Sequence, residues 1–258
     1  MDDPKAQERF LDLWRQLSAE LAQTDVDWVA YEILNEAIAE DPEYWKRLIA
    51  KTHAVTRERE PCRTIVIGTN WWQIPSTFPS LKIPEDTPNI LLSFHFYAPL
   101  LFTHYRAPWV ATYPFDGPVN YPGMVIEDED LEKSNCTPAI KEKIRSLNGL
   151  CDINVLEKEM QPAIEYAKKK GLPLYCGEWG CFHTVQRDQR LQWYKDVSTI
   201  LNRNGIANAT CDYKGEFGMV DTRTLVLIGI WWMHSLLGSK MTAHKGRHIF
   251  LTKRRRAS

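Results

Sequence analysis

Residues 26–36 of the chain read VDWVAYEILNE. β-Branched and aromatic side chains follow one another as in a strand covered on both faces, and the run closes on the polar pair Asn35-Glu36. Shortly after, Asp41-Pro42 opens a helix. The Asp41 carboxylate can accept the free N–H groups of the first turn, and proline at the first helical position forfeits no hydrogen bond. A buried strand that ends in polar residues and passes into a capped helix is the repeating unit of a parallel α/β fold.

The unit recurs on either side. Upstream, residues 4–24 place Phe10, Trp14, Leu17 and Leu21 on one helical stripe. Downstream, the helix runs to about Arg59, and RTIVIG (63–68) is a short apolar strand followed by Thr69-Asn70-Trp71-Trp72 in a loop. NILLSFHFY (89–97) is the next strand. Residues 98–150 are rich in Pro, Gly, Tyr and charge without sustained periodicity, which predicts a long decorated loop with short helices at most. Residues 152–170 carry Leu156, Met160 and Ile164 on one helical stripe, closed by Gly171, and LPLYCGE (172–178) is a strand. A helix over 187–204, a strand over 206–213 and a helix over 222–237 follow.

Alternating strands and helices imply parallel strands with right-handed crossovers. The polar strand ends choose between the two architectures that allow this: Asn35 and Glu36, Asn70 and Trp71, His95 and Tyr97, Glu178 and Trp179, Asp212 and Tyr213. An open sheet concentrates its site at one switch point, whereas a barrel uses the C-terminal ends of all its strands. The sequence therefore predicts an α/β fold of the TIM (β/α)8-barrel type over residues 1–237, with 238–258 an irregular basic tail.

Composition narrows the function. The 258 residues carry 32 basic and 33 acidic side chains, a formal net charge of -1, which removes the long-range pull toward phosphate backbones or anionic lipid. Neither nucleic acid nor a membrane is an expected partner, and the substrate is expected to be neutral. Met1 to Arg9 lacks the basic-then-apolar order of a secretion signal. The six cysteines match no zinc spacing and are expected to be reduced and structural; Cys176, Cys181 and His183 are the nearest approach to a ligand set, and no metal is predicted. Ten Trp, ten Tyr and nine Phe are many, and several stand at strand ends, where rings suit flat sugar faces.

Glu36 and Glu178 carry the chemistry. A carboxylate at the end of a buried apolar strand is costly unless it faces a cleft or a partner. Glycoside hydrolysis needs two such groups, one protonated to serve the leaving oxygen and one ionised to attack the anomeric carbon. Asn35 offers a donor for a sugar 2-hydroxyl. His95 and Tyr97 project from one side of a strand and can hold a neighbouring carboxylate ionised, which favours Glu178 as nucleophile.

These motifs, ILNEA around Glu36, HFY at 95–97, GEWG around Glu178 and DYKGEFGMVD at 212–221, resemble glycoside hydrolase family 5, the cellulase-type barrels, from the fourth strand onward. The resemblance implies that Glu36 is the acid/base, Glu178 the nucleophile and Asn35 the 2-hydroxyl contact, with His95 and Tyr97 around the nucleophile. It implies a β-1,4-glucan or related substrate and no cofactor. Trp71, Trp72 and Trp179, with Tyr105 and Trp109, become candidate sugar contacts, one of the 71–72 pair being expected in the core. It also implies that the family's first three strands are missing here and that Cys211 stands where the family has a tryptophan. The raw edges of such a sheet predict self-association.

Overall fold

The computed structural model describes residues 1–85 and 88–219. The helix expected over 222–237 and the basic tail from 238 lie outside the described residues. The chain divides into two compact units, Met1–His95 with Met160–Tyr175, and Phe96–Glu159 with the residues from Cys176 onward.

In the first unit, strand β1 (Tyr31–Glu32) pairs in parallel with β2 (Ile65–Gly68), Tyr31 opposite Ile65. Strand β2 pairs in parallel with β3 (Ile90–Phe96), from Ile65 opposite Ile90 to Gly68 opposite Ser93. The Leu92 N–H then donates to the Pro173 carbonyl at 3.0 Å, just before β6 (Leu174–Trp179). Helices Pro4–Leu21 and Pro42–Arg59 both start on an aspartate cap followed by proline, and the Asp41 side chain accepts from Glu43 N–H at 2.9 Å, as the sequence predicts.

Two expectations for this unit need correcting. The first helix buries Leu11, Trp14 and Ser18, not Leu17, which is exposed. The stripe is shifted because the Ser18 hydroxyl is drawn inward to donate to Glu60 Oε1 at 2.7 Å. The strand expected over 26–34 shrinks to two residues. Its first half is a turn, with Val29 N–H donating to the Asp25 carbonyl and Trp28 85% exposed. The cause is Arg63, fully buried, whose guanidinium donates to the carbonyls of Leu21, Thr24, Asp25 and Val29 and to Glu60 Oε2. Carbonyls turned toward a buried cation cannot also join a strand ladder.

In the second unit, β6 continues beside β7 (Ala207–Asn208), the Ala209 N–H donating to the Cys176 carbonyl at 3.0 Å. The segment predicted as a loop over 98–150 is more ordered than its composition suggests. It holds helices Leu100–Thr103, Asp128–Lys133 and Pro138–Leu147, and an antiparallel ribbon of β4 (Gly123–Met124) and β5 (Leu150–Cys151). Its order comes from side chains that supply backbone partners: Asn148 bonds both the N–H and the carbonyl of Ile126, at 3.0 and 2.7 Å. Val125, Ile126, Leu131 and Ile144 are buried within it.

Helix Ile153–Lys170 buries Leu156, Met160 and Ile164 and ends on Gly171 at φ 64, as expected. None of the six cysteines forms a disulfide. No helix among the described residues is long and apolar enough to cross a membrane.

Candidate active site

Period-two geometry sets one side of β3 apart: Ser93, His95 and Tyr97 alternate with Leu92, Phe94 and Phe96. Each polar group on that side meets a functional partner in its own unit.

In the first unit His95 Nδ1 lies 2.9 Å from Glu36 Oε1. The imidazole is 2% exposed and the carboxylate 31%. Glu36 stands at φ 50, a left-handed conformation rare for a residue with a side chain, and its N–H donates to Gln73 Oε1 at 2.8 Å. Gln73 is buried and its Nε2 donates to Glu32 Oε1 at 3.2 Å and to Ser93 Oγ at 3.1 Å. Asn70 grips the same stretch further on, its Oδ1 accepting from Ala39 N–H and its Nδ2 donating to Ala39 O, at 2.8 and 2.7 Å. Asn35 is exposed beside Glu36.

In the second unit the Tyr97 hydroxyl donates to Glu178 Oε2 at 2.9 Å. Burial raises the phenol's proton affinity well above the usual range, and the neighbouring Cys211 thiol and Glu178 carboxylate raise it further. Tyr97 is therefore a neutral donor at any ordinary pH. Cys176, two residues before Glu178, is fully buried and donates its S–H to the Glu178 carbonyl at 3.4 Å. Gly180 lets the chain fold back here, since a Cβ on it would stand 2.4 Å from the Cys211 carbonyl.

Three expected roles change. Trp179 is not a sugar platform: it is fully buried, donates Nε1–H to Asn208 Oδ1 at 3.1 Å and packs against Trp193 and Tyr194. Trp71 and Trp72 are both exposed, at 36% and 49%, with ring centres 5.7 Å apart, so neither is the core residue expected of one of them. Their backbones are left-handed (φ 52 and 59), which turns both rings outward. His95 gains a partner that the sequence reading does not name, Glu36. Trp109 is 55% exposed and Tyr105 half-buried, its hydroxyl donating to the Asp116 carbonyl. Cys176, Cys181 and His183 form no ligand cluster among the described residues, and burial raises both thiols, disfavouring the thiolates a metal would need.

Gln73 is the residue that sequence reading missed. The only hint was its place at the end of TNWWQ, directly after a strand.

Residues 2–216 match the family model described as cellulase (glycosyl hydrolase family 5). The chain is 31% identical over 214 residues to Endoglucanase C of Acetivibrio thermocellus, covering 83% of this chain and 61% of that protein. It is 28% identical over 207 residues to Cellodextrinase A of Ruminococcus flavefaciens, covering 80% and 54%. The chain thus spans less than two thirds of the length of these relatives. A solved hyperthermophilic endo-beta-1,4-glucanase in complex with substrate superposes with a TM-score of 0.71 at 26% identity, covering 91% of this chain and 67% of that one. Thermotoga maritima Cel5A in complex with cellobiose gives 0.69 at 26% identity, covering 88% and 65%. The parallel (β/α)-barrel architecture read from the sequence is the fold of these neighbours.

Proposed function

The chain belongs to glycosyl hydrolase family 5, the cellulase family, and on that premise we propose that it cleaves β-1,4-glucosidic bonds of cellulose or related β-glucans by a retaining double displacement. The observation that carries this reading is that each strand-end carboxylate has its own partner from one side of β3, Glu36 with His95 and Glu178 with Tyr97.

The two partners suit two different tasks. A phenol that stays protonated donates to Glu178 Oε2 and holds that carboxylate in one orientation, as a nucleophile requires. A ring nitrogen can accept from a protonated Glu36 or donate to an ionised one, which suits a group that alternates between acid and base.

In the first displacement Glu178 bonds to the anomeric carbon as the C–O bond to the leaving sugar breaks, and that oxygen takes the Glu36 proton. In the second, Glu36 removes a proton from water, whose oxygen displaces Glu178 and restores both carboxyl groups. Asn35 takes the 2-hydroxyl, and the exposed rings of Trp71 and Trp72 give the glucan an apolar face. None of these steps requires a cofactor.

The test is release of reducing ends from carboxymethylcellulose. The wild-type chain turns it over, and Glu178→Gln lowers kcat by on the order of 10³-fold or more. The Cys211 thiol beside Tyr97, at the family's tryptophan position, favours a second reading, glucan binding without turnover. Cello-oligosaccharide binding with no reducing ends from the wild type would select it. The outer edge of β1, which among the described residues pairs only with β2, together with exposed Val26 and Trp28, further supports pairing of two copies. A monomeric mass in light scattering at micromolar concentration would reject that part.

A further inference from the structure

The geometry points to Gln73 as the positioning residue of the acid/base, holding Glu36 through its backbone where His95 holds it through its side chain. This inference rests on the assignment of Glu36 just proposed.

Three consecutive residues, Trp71, Trp72 and Gln73, adopt left-handed backbone conformations at φ 52, 59 and 57. None is glycine, so each pays for its Cβ. A sequence free to relax would have placed glycine or asparagine there, and what the conformation secures is a turn tight enough to send the Gln73 side chain back beneath β2. Gly68 makes room for it: a Cβ at 68 would lie 2.4 Å from Gln73 Cδ and 2.7 Å from its Nε2.

The carboxamide has only one workable orientation. Glu32 Oε1 and Ser93 Oγ can accept its two protons, and the Glu36 N–H can only donate, so Oε1 must face Glu36. All three contacts are to neighbouring strands or to the segment just past β1. From the same turn, Asn70 bonds both backbone groups of Ala39. One strained turn therefore fixes residues 36–39 at both ends, and with them the left-handed φ of 50 that aims the Glu36 carboxylate at His95. A general acid must be held within a fraction of an ångström, and second contacts of this kind are what hold it.

The experiment uses Gln73→Met, which keeps the volume and loses the oxygen, and the double variant Gln73→Glu with Glu32→Gln, which exchanges carboxylate and carboxamide so that an oxygen still meets the Glu36 N–H and a donor still joins positions 32 and 73. Two substrates separate positioning from folding or binding. Cellopentaose has a poor leaving group that needs the acid, whereas 2,4-dinitrophenyl β-cellobioside has one that leaves unprotonated. For Gln73→Met, kcat/KM on cellopentaose falls on the order of 10–100-fold, while kcat/KM on the aryl substrate stays within about threefold of wild type. The double variant recovers most of the loss. Equal losses on both substrates, or no loss on either, overturn the inference.

A second readout does not depend on turnover. The Glu36 amide exchanges slowly with solvent in the wild type and in the double variant, and faster in Gln73→Met. If the wild type hydrolyses neither substrate, the functional reading fails by itself. Unchanged Glu36 exchange in Gln73→Met overturns the clamp whatever the activity.

Discussion

Tyr97 donates to Glu178 Oε2 at 2.9 Å from a ring held edge-on by His104 and Phe217, with centroids 5.1 and 5.4 Å away. The ring cannot swing aside, so deleting its hydroxyl removes one donor and little else. Tyr97→Phe should lower kcat on the order of 10–100-fold with KM changed far less, because a donor to the attacking carboxylate is worth most as charge moves along the reaction. Its raised proton affinity adds a second expectation: the alkaline limb of the wild-type pH profile does not arise from Tyr97 and keeps its midpoint in the variant. A shifted midpoint would refute it.

The tryptophans divide into core and surface. Trp179 is fully buried against Trp193 and Tyr194, so Trp179→Ala should cost about 3–5 kcal/mol of stability. Trp72→Ala, at a site 49% exposed, should stay within about 0.5 kcal/mol in urea unfolding. Its cost should appear in cello-oligosaccharide affinity instead, as about 1–2 kcal/mol or roughly five- to thirtyfold in Kd. Comparable urea midpoints for the two variants would contradict this division.

Arg63 ties the end of the first helix to the sheet through four carbonyls and Glu60. A lysine cannot reproduce that fork, so Arg63→Lys should be nearly as harmful as Arg63→Met. Both leave Glu60 buried without the two guanidinium nitrogens that meet its Oε2, and a loss of about 3–5 kcal/mol is expected from denaturant titration. A loss under about 1 kcal/mol for the lysine variant would show that the guanidinium geometry is dispensable.

Alkaline pH should unfold the chain from about pH 9 upward. Burial, then the neighbouring Asp152 and Glu159, raise the Cys151 thiol from 9.0 to about 12. Burial and the Glu60 carboxylate raise Tyr31 from 10.0 to about 12. Both groups keep their protons longer folded than unfolded. Their contribution is present in full below the unfolded values and is lost as pH rises through about 12. A Tyr31→Phe, Cys151→Ala double variant should show a flatter fall of Tm between pH 9 and 12. An identical slope would show that other groups set alkaline stability.

Much of the site was legible because it lies on strands. Alternation alone put His95 and Tyr97 on one side of β3, and the apolar runs before Glu36 and Glu178 marked both as polar groups that needed a reason. The partners were less legible. Nothing in spacing says that His95 meets Glu36, which follows β1, a strand paired with β2 rather than with β3, or that Tyr97 meets Glu178. Trp179 and the Trp71-Trp72 pair read alike in sequence and separate only through burial. Gln73 was invisible because its role depends on three left-handed residues that no propensity favours, and on the absence of a side chain at Gly68 across the turn.

By itself the sequence determined the alternation of strands and helices outside residues 98–150, the cap at Asp41, and the two glutamates that follow apolar runs, because all of these are written in local periodicity and in the hydrogen-bonding capacity of single side chains. Tertiary structure alone decided how much of residues 26–34 became strand, which rings faced water, and how Glu36 is held. Those outcomes turn on contacts between residues tens of positions apart: the Arg63 guanidinium against the carbonyls of 21–29, and the Gln73 amide against the N–H of Glu36. A buried donor or acceptor must find its partner wherever the fold brings one within reach, and that requirement overrides local preference.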